Sequence, residues 1–197
     1  MFRYRTGVAW RDLPGRFGPW QTVWKRHHGF ATVGTWDKLL RVIQAEADAA
    51  GRVDWNVSAG SSIVRAHQHS ATAKRSARED RTVLVGRPRT RPDRVLADKA
   101  YSSHAIRAHL RTRGIGSVIP EPDYQKAHRK RIGSSGGRPV TYDRTAYRGR
   151  NVIERAFNGF KHWRGLATRY DKHAIVYRGG LVLAAVLRWL TDLGDTS

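Results

Sequence analysis

The chain has 197 residues, and 37 Lys and Arg against 16 Asp and Glu give a formal net charge of +21. Such an excess of cations points to nucleic-acid phosphate as partner, with an anionic membrane surface second. There is no cysteine, which excludes a disulfide framework, a thiolate zinc site and a cysteine nucleophile.

Hydrophobic residues make up 40% of the chain and seven are Trp, a composition that builds a core rather than a disordered tail. The longest apolar run, residues 181–187, falls well short of the roughly 20 needed for a membrane span. The N-terminus shows no signal-peptide pattern. The expectation is a soluble cytoplasmic protein without a membrane partner.

In chain order, Leu13-Pro14-Gly15 and Gly18-Pro19 mark turns. Residues 20–30 read as a helix. Thr35 is placed to cap a second one, with Trp36, Leu39, Leu40, Ile43 and Ala47 on a single stripe and Gly51 closing it. With Lys25, Arg26, His27 and His28 exposed, this pair is either a helix-turn-helix-like DNA reader or an ordinary helical hairpin around a Trp-rich core. Residues 55–66 read as a strand centred on Ser61-Ser62-Ile63-Val64. Residues 74–80 are charged without period, 82–85 are a short β-like run, and 86–94 are a basic linker broken by proline. Val95-Leu96-Ala97 reads as a buried strand ending in Asp98. Ser102 is placed to cap a helix running to Arg113 and stopped by Gly114, and residues 117–119 form a further strand, giving a βαβ-like unit. Residues 120–139 read as a polar loop, 143–163 as one long helix and 173–193 as a last, apolar one.

Two features carry candidate chemistry. Asp98 stands at the carboxyl end of an apolar strand, where ligand sites gather in open α/β sheets, although such an Asp also serves as a turn or cap. On a continuous helix from Tyr147, Arg150, Glu154 and Lys161 fall at about 300°, 340° and 320° from Tyr147, on one narrow stripe. That stripe suits metal or phosphate chemistry, and equally an exposed Arg–Glu pair one turn apart. His67 and His69 share a strand face but have no nearby carboxylate with which to complete a metal site.

These stretches resemble bacterial insertion-sequence transposases of the DDE class, in the branch of insertion sequences four and five. Trp10-Arg11-Asp12-Leu13-Pro14 with Phe17 through Val23 resembles the N-terminal DNA-binding signature, and Ile63 through His69 the stretch after the first catalytic Asp. Leu96 through Tyr101 resembles the block of the second Asp. Tyr147, Arg150, Glu154 and Lys161 match the Y-x2-R-x3-E-x6-K signature at every spacing, and Arg164 through Lys172 is also typical. The resemblance implies an α/β, ribonuclease-H-like core behind a small helical DNA-binding segment, with boundaries at 1–51 and 52–197. It implies Asp98 and Glu154 as catalytic and metal-binding residues, holding Mg²⁺ or Mn²⁺. Tyr147, Arg150, Lys161, Arg65, Lys25 and Arg26 would face DNA, namely the terminal repeats of the element. A homo-oligomer on DNA and a nucleoid location also follow from it.

The chain departs from the pattern. Gly60 stands where the first Asp belongs, and Asp54, six residues upstream, is about 20 Å away along a strand. Only 38 residues separate Gly60 from Asp98, so the core is expected to be incomplete, shortened between about 70 and 94. The chain also begins within the N-terminal signature. The expectation is a transposition protein with impaired catalysis. The alternatives are a DNA-binding-only relic competing at the element ends, and a basic RNA-associated structural protein, which leaves the signature spacing unexplained.

Overall fold

A computed structural model describes residues 1–60, 62, 64–66 and 91–194. The expected run at 82–85, the charged stretch 74–80, the His67/His69 pair and most of the 86–94 linker lie outside the described residues. The chain divides into two compact units. One comprises residues 1–53, 64–66 and 157–194 of the described chain, and the other residues 54–60, 62 and 91–156.

The first unit is helical. α1 (Phe2–Thr6), α2 (Trp20–Thr32) and α3 (Thr35–Ala49) open the chain. The turn before α3 is made by Gly34 at φ +70°, and Thr35 is the first helical residue rather than the cap. Gly51, at φ +67°, closes α3: its N–H donates to Asp48, and that of Arg52 to Ala47. His27, expected at the surface, is buried. It lies on the inner face of α2, its ring 5.7 Å from that of Trp10 and 6.1 Å from that of Trp36.

The second unit holds a three-stranded parallel sheet. β1 (Asn56–Ala59) belongs to it, whereas β2 (Arg65–Ala66) pairs in the first unit with a strand described below. The strand expected at 55–66 is therefore not one element. It stops at Ala59, and the next residue, Gly60, brings no side chain to pack. β3 (Arg94–Ala97) is central, between β1 and β4 (Gly116–Val118). α4 (His104–Thr112) connects β3 to β4 as the βαβ pattern requires. Its cap is Ser103, whose Oγ accepts from the Ile106 N–H, one residue beyond the expected Ser102. Ala97, Leu110 and Ile119 form the core here, with Ala59, Val95, Tyr101 and Ile115 packed around them.

The loop expected at 120–139 is mostly helix, α5 (Asp123–Arg131), followed by a 3-10 turn. Its sequence has no apolar stripe, so periodicity is blind to it. Charge order at the ends marks it instead: Asp123 lies in the first turn and His128, Arg129, Lys130 and Arg131 in the last, each complementing the helix dipole. The single helix expected at 143–163 is two, α6 (Arg144–Arg148) and α7 (Asn151–Lys161). Around Gly149 the hydrogen bonds tighten to three-residue spacing, from Gly149 to Ala146, Arg150 to Tyr147, Val152 to Gly149 and Ile153 to Arg150. An angular stripe drawn across that junction does not hold.

α8 (Arg164–Ala167), β5 (Thr168–Arg169) and α9 (Ala174–Gly194) return the chain to the first unit, where β5 pairs in parallel with β2. By length and composition α9 is long and apolar enough to cross a membrane, a property the seven-residue apolar run conceals. It packs along α2 and α3, burying Val176, Ala184 and Val186.

Contact with α9 is close because Gly179 and Gly180 carry no side chain. A Cβ at 179 would lie 2.7 Å from Ala31 Cβ, and one at 180 would overlap the Tyr4 ring. Alanine favours a helix over glycine by about 1 kcal/mol, but overpacking costs about 1–3 kcal/mol. The Tyr4 ring has little room to yield, since its hydroxyl donates to the Val176 carbonyl at 3.0 Å and sits 2.9 Å from His27 Nε2. Gly180→Ala is therefore expected to lower stability to urea; an unchanged or raised midpoint refutes this packing.

Burial holds the His27 imidazole below its ordinary value, opposed in part by its hydrogen bond to the Val176 carbonyl. The neutral ring is the folded form. Its stabilising contribution is present above the unfolded pKa of 6.5 and is lost as pH falls through that value toward the folded one. The urea midpoint is expected to drop more steeply below pH 6.5 in the native chain than in His27→Gln. Parallel pH profiles would show that His27 is not the titrating group.

Candidate functional site

β3 delivers Asp98 to the carboxyl edge of the sheet. Leu96 and Ala97 are anchored in the core, so the position of the next residue is fixed by the strand. Asp98 Oδ1 accepts from the Ala100 N–H at 2.9 Å and starts a 3-10 turn over Lys99–Tyr101. Its other oxygen, Oδ2, lies 3.7 Å from the Arg150 guanidinium. Oδ1 thus acts as the cap.

The following turn is pinned by residues that the sequence did not single out. Arg107 on α4 donates to Ser102 Oγ at 3.0 Å and to the Ile119 carbonyl at 2.8 Å. Gln125 on α5 donates to the Ser102 carbonyl at 2.7 Å and accepts from its hydroxyl. Burial lowers the Arg107 pKa, against the opposing pull of Glu121. The signal for Arg107 is available in the sequence: it lies one turn before Leu110 on the buried side of α4, an unusual place for a charge.

The α6–α7 junction brings the second carboxylate. A Cβ on Gly149 would lie 3.1 Å from the Ala146 carbonyl and 3.9 Å from Leu96 Cδ2, which sets the junction against β3. Asp143 starts this segment by capping α6, accepting from the Thr145 and Ala146 N–H groups. Those backbone bonds, with Arg94 nearby, hold its carboxyl below the usual range. Arg150 follows Gly149 directly. One nitrogen of its guanidinium lies 2.8 Å from Glu154 Oε1 and another 3.7 Å from Asp98 Oδ2. Asp98, Arg150 and Glu154 therefore converge on one point. Nearly half of the Glu154 side chain is exposed, yet its Oε2 is buried without a hydrogen-bond partner, as is Arg150 Nε.

The other expected residues are distributed differently. Tyr147 lies on α6, its ring edge-on to Tyr142 at 5.6 Å. Lys161, Arg65, Lys25 and Arg26 belong to the first unit. Lys25, Arg26 and Lys161 are exposed, and Arg65 stands opposite Thr168 in the β2–β5 pair.

A two-metal site needs more oxygen ligands than this arrangement offers. Among the described residues no three His, Asp or Glu side chains gather where an ion could sit. The cation between Asp98 and Glu154 is the Arg150 guanidinium. β1 and β3 run parallel with Ala59 opposite Ala97, and Gly60 and Asp98 are the residues that follow them on the two chains. Glycine supplies no ligand there. Among the described residues, those present do not fit a pair of divalent ions.

Comparison with known proteins bears on residues 1–40 and 63–189. A family model described as "Transposase DDE domain" matches residues 63–189. Another, described as "Putative transposase of IS4/5 family", matches residues 1–40. An uncharacterized protein y4sN of Sinorhizobium fredii is 42% identical over 72 residues, which is 36% of this chain and 54% of that protein. An uncharacterized 16.2 kDa protein of insertion element IS402 from Burkholderia cepacia is 36% identical over 69 residues, 34% of this chain and 47% of that protein. The chain thus spans about half the length of the curated relatives it matches. No solved structure matches.

Proposed function

The chain belongs to the transposase DDE-domain family, and on that premise we propose that it serves DNA transposition by binding element-end DNA, with a catalytic set left incomplete at Gly60. In this reading residues 1–51 are the helical DNA-binding segment. Residues 52–197 are a ribonuclease-H-like catalytic domain shortened between about 70 and 94. The protein acts in the bacterial cytoplasm, on the nucleoid, as a homo-oligomer on DNA.

The observation that supports the proposal is the parallel β1–β3 register with Ala59 opposite Ala97, directly after which Gly60 and Asp98 follow on the two chains. The family's chemistry draws on divalent metal, Mg²⁺ or Mn²⁺, held by carboxylate oxygen. Here two carboxylates remain and share one guanidinium. Arg150 does in this chain what a cation must do between Asp98 and Glu154: it offsets their charge and holds them near each other. Tyr147 and Arg150 of the second unit are read as phosphate contacts, as are Lys161, Lys25, Arg26 and Arg65 of the first, so binding survives the loss of the third carboxylate. A protein that binds the ends without cutting would compete there with an intact transposase.

Footprinting and nicking on terminal-repeat duplex test this. The native chain is expected to protect the ends and to leave them uncut with Mg²⁺ or Mn²⁺. Gly60→Asp is expected to raise Mn²⁺ affinity in calorimetry, an effect removed by Asp98→Ala. Where nicking appears in Gly60→Asp, it should exceed the native rate by about 100-fold, the equivalent of a few kcal/mol of transition-state stabilisation. Robust nicking by the native chain that Asp98→Ala abolishes would overturn the proposal of impaired catalysis.

A further inference from the structure

We infer that the first unit carries a second DNA site, a groove that takes unpaired nucleotides by stacking their bases; this rests on the reading that DNA is the partner. The groove has a volume of about 590 Å³ and is lined by Trp20, Trp24, Tyr170, Arg11, Lys172 and His173 among others, within the size range of ligand pockets. Trp20 and Trp24 lie four residues apart on α2 and so share one face. The Trp24 ring stacks on His28 at 5.0 Å and lies 6.0 Å from His173. The Arg11 guanidinium is 5.9 Å from the Trp20 ring centre.

Two properties select the occupant. Flat aromatic walls favour a flat partner, and every base offers a π face, so stacking is indifferent to sequence. Arg11 and Lys172 are exposed cations at the rim, placed for the phosphates that accompany each base. Asp171, a carboxylate in the lining, does not cancel them. One of its oxygens pairs with Arg3 at 2.9 Å and the other accepts from Trp10 Nε1 at 3.0 Å. A base within a duplex is stacked on its neighbours and cannot present its face to such a groove, so the partner is single-stranded or locally melted DNA.

The test uses the full chain and three fluorescent probes: a thymidine strand of about 12 nucleotides, an abasic strand of equal length, and a duplex of mixed sequence. The thymidine strand is expected to bind about tenfold or more tightly than the abasic strand, with quenching of tryptophan emission. Trp24→Ala should remove that preference while leaving abasic binding in place, and Trp24→Phe should restore it. Tyr170→Ala gives a second reading should Trp24→Ala unfold. Equal binding of the two single strands by the native chain, with the duplex still bound, overturns the groove and leaves the DNA reading standing. Failure of all three probes to bind overturns both.

Discussion

The first unit is organised by one buried ion pair. Arg3 and Asp171 are separated by 168 residues and meet at 2.9 Å with almost no exposure. Desolvating two such charges costs several kcal/mol for each, and their attraction offsets this only if the remaining polar atoms find partners. Trp10 supplies one by donating to the second Asp171 oxygen. The Tyr4 and Trp10 rings lie 4.9 and 4.8 Å from the Arg3 guanidinium and add cation–π contact. Tyr4 then reaches His27 and the Val176 carbonyl. Thus α1, α2 and the start of α9 are fixed to one another through neighbours of a single pair.

That arrangement explains a property of the sequence. The Trp10 signature and the stretch ending at Asp171 look like separate blocks, 161 residues apart. In the folded chain they are two sides of one contact, so neither can vary alone without leaving a buried charge or an indole N–H unsatisfied. The Asp98–Arg150–Glu154 cluster in the second unit follows a contrary rule. Its charges are partly exposed, so it adds little to stability.

How much of this was legible in the sequence depended on whether apolar pattern carried the information. α2, α3, β3 and α9 bury apolar residues at regular spacing and were found close to their bounds. α5 buries no such stripe, so its sequence reads as a loop. The break between α6 and α7 turns on Gly149 and a local change in hydrogen-bond spacing, which a 3.6-residue period cannot register. His27 illustrates the complementary failure: a polar residue between Lys25, Arg26 and His28 looks exposed, yet four consecutive positions on a helix must point in different directions, and one of them pointed inward. For the candidate site, motif spacing marked Asp98, Arg150 and Glu154, which the fold brings together. Of the supports around Ser102, Arg107 leaves a signal as a charge on the buried side of α4, whereas Gln125 leaves none, because its contacts exist only once α5 is in place.

The discontinuity of the first unit has a consequence for how the chain is made. α2 and α3 are complete once Ala49 is synthesised, but the helix that covers them ends at Gly194. At about 5–20 residues per second the ribosome needs on the order of ten seconds or more to deliver it. During that interval Ile43 and Ala47, both buried in the finished protein, have no α9 to pack against. α9 in turn emerges well after them as an apolar rod of about 30 Å, whose docking partners were made earlier. Formation of the first unit therefore depends on timing, with α2 and α3 waiting for α9 to be made.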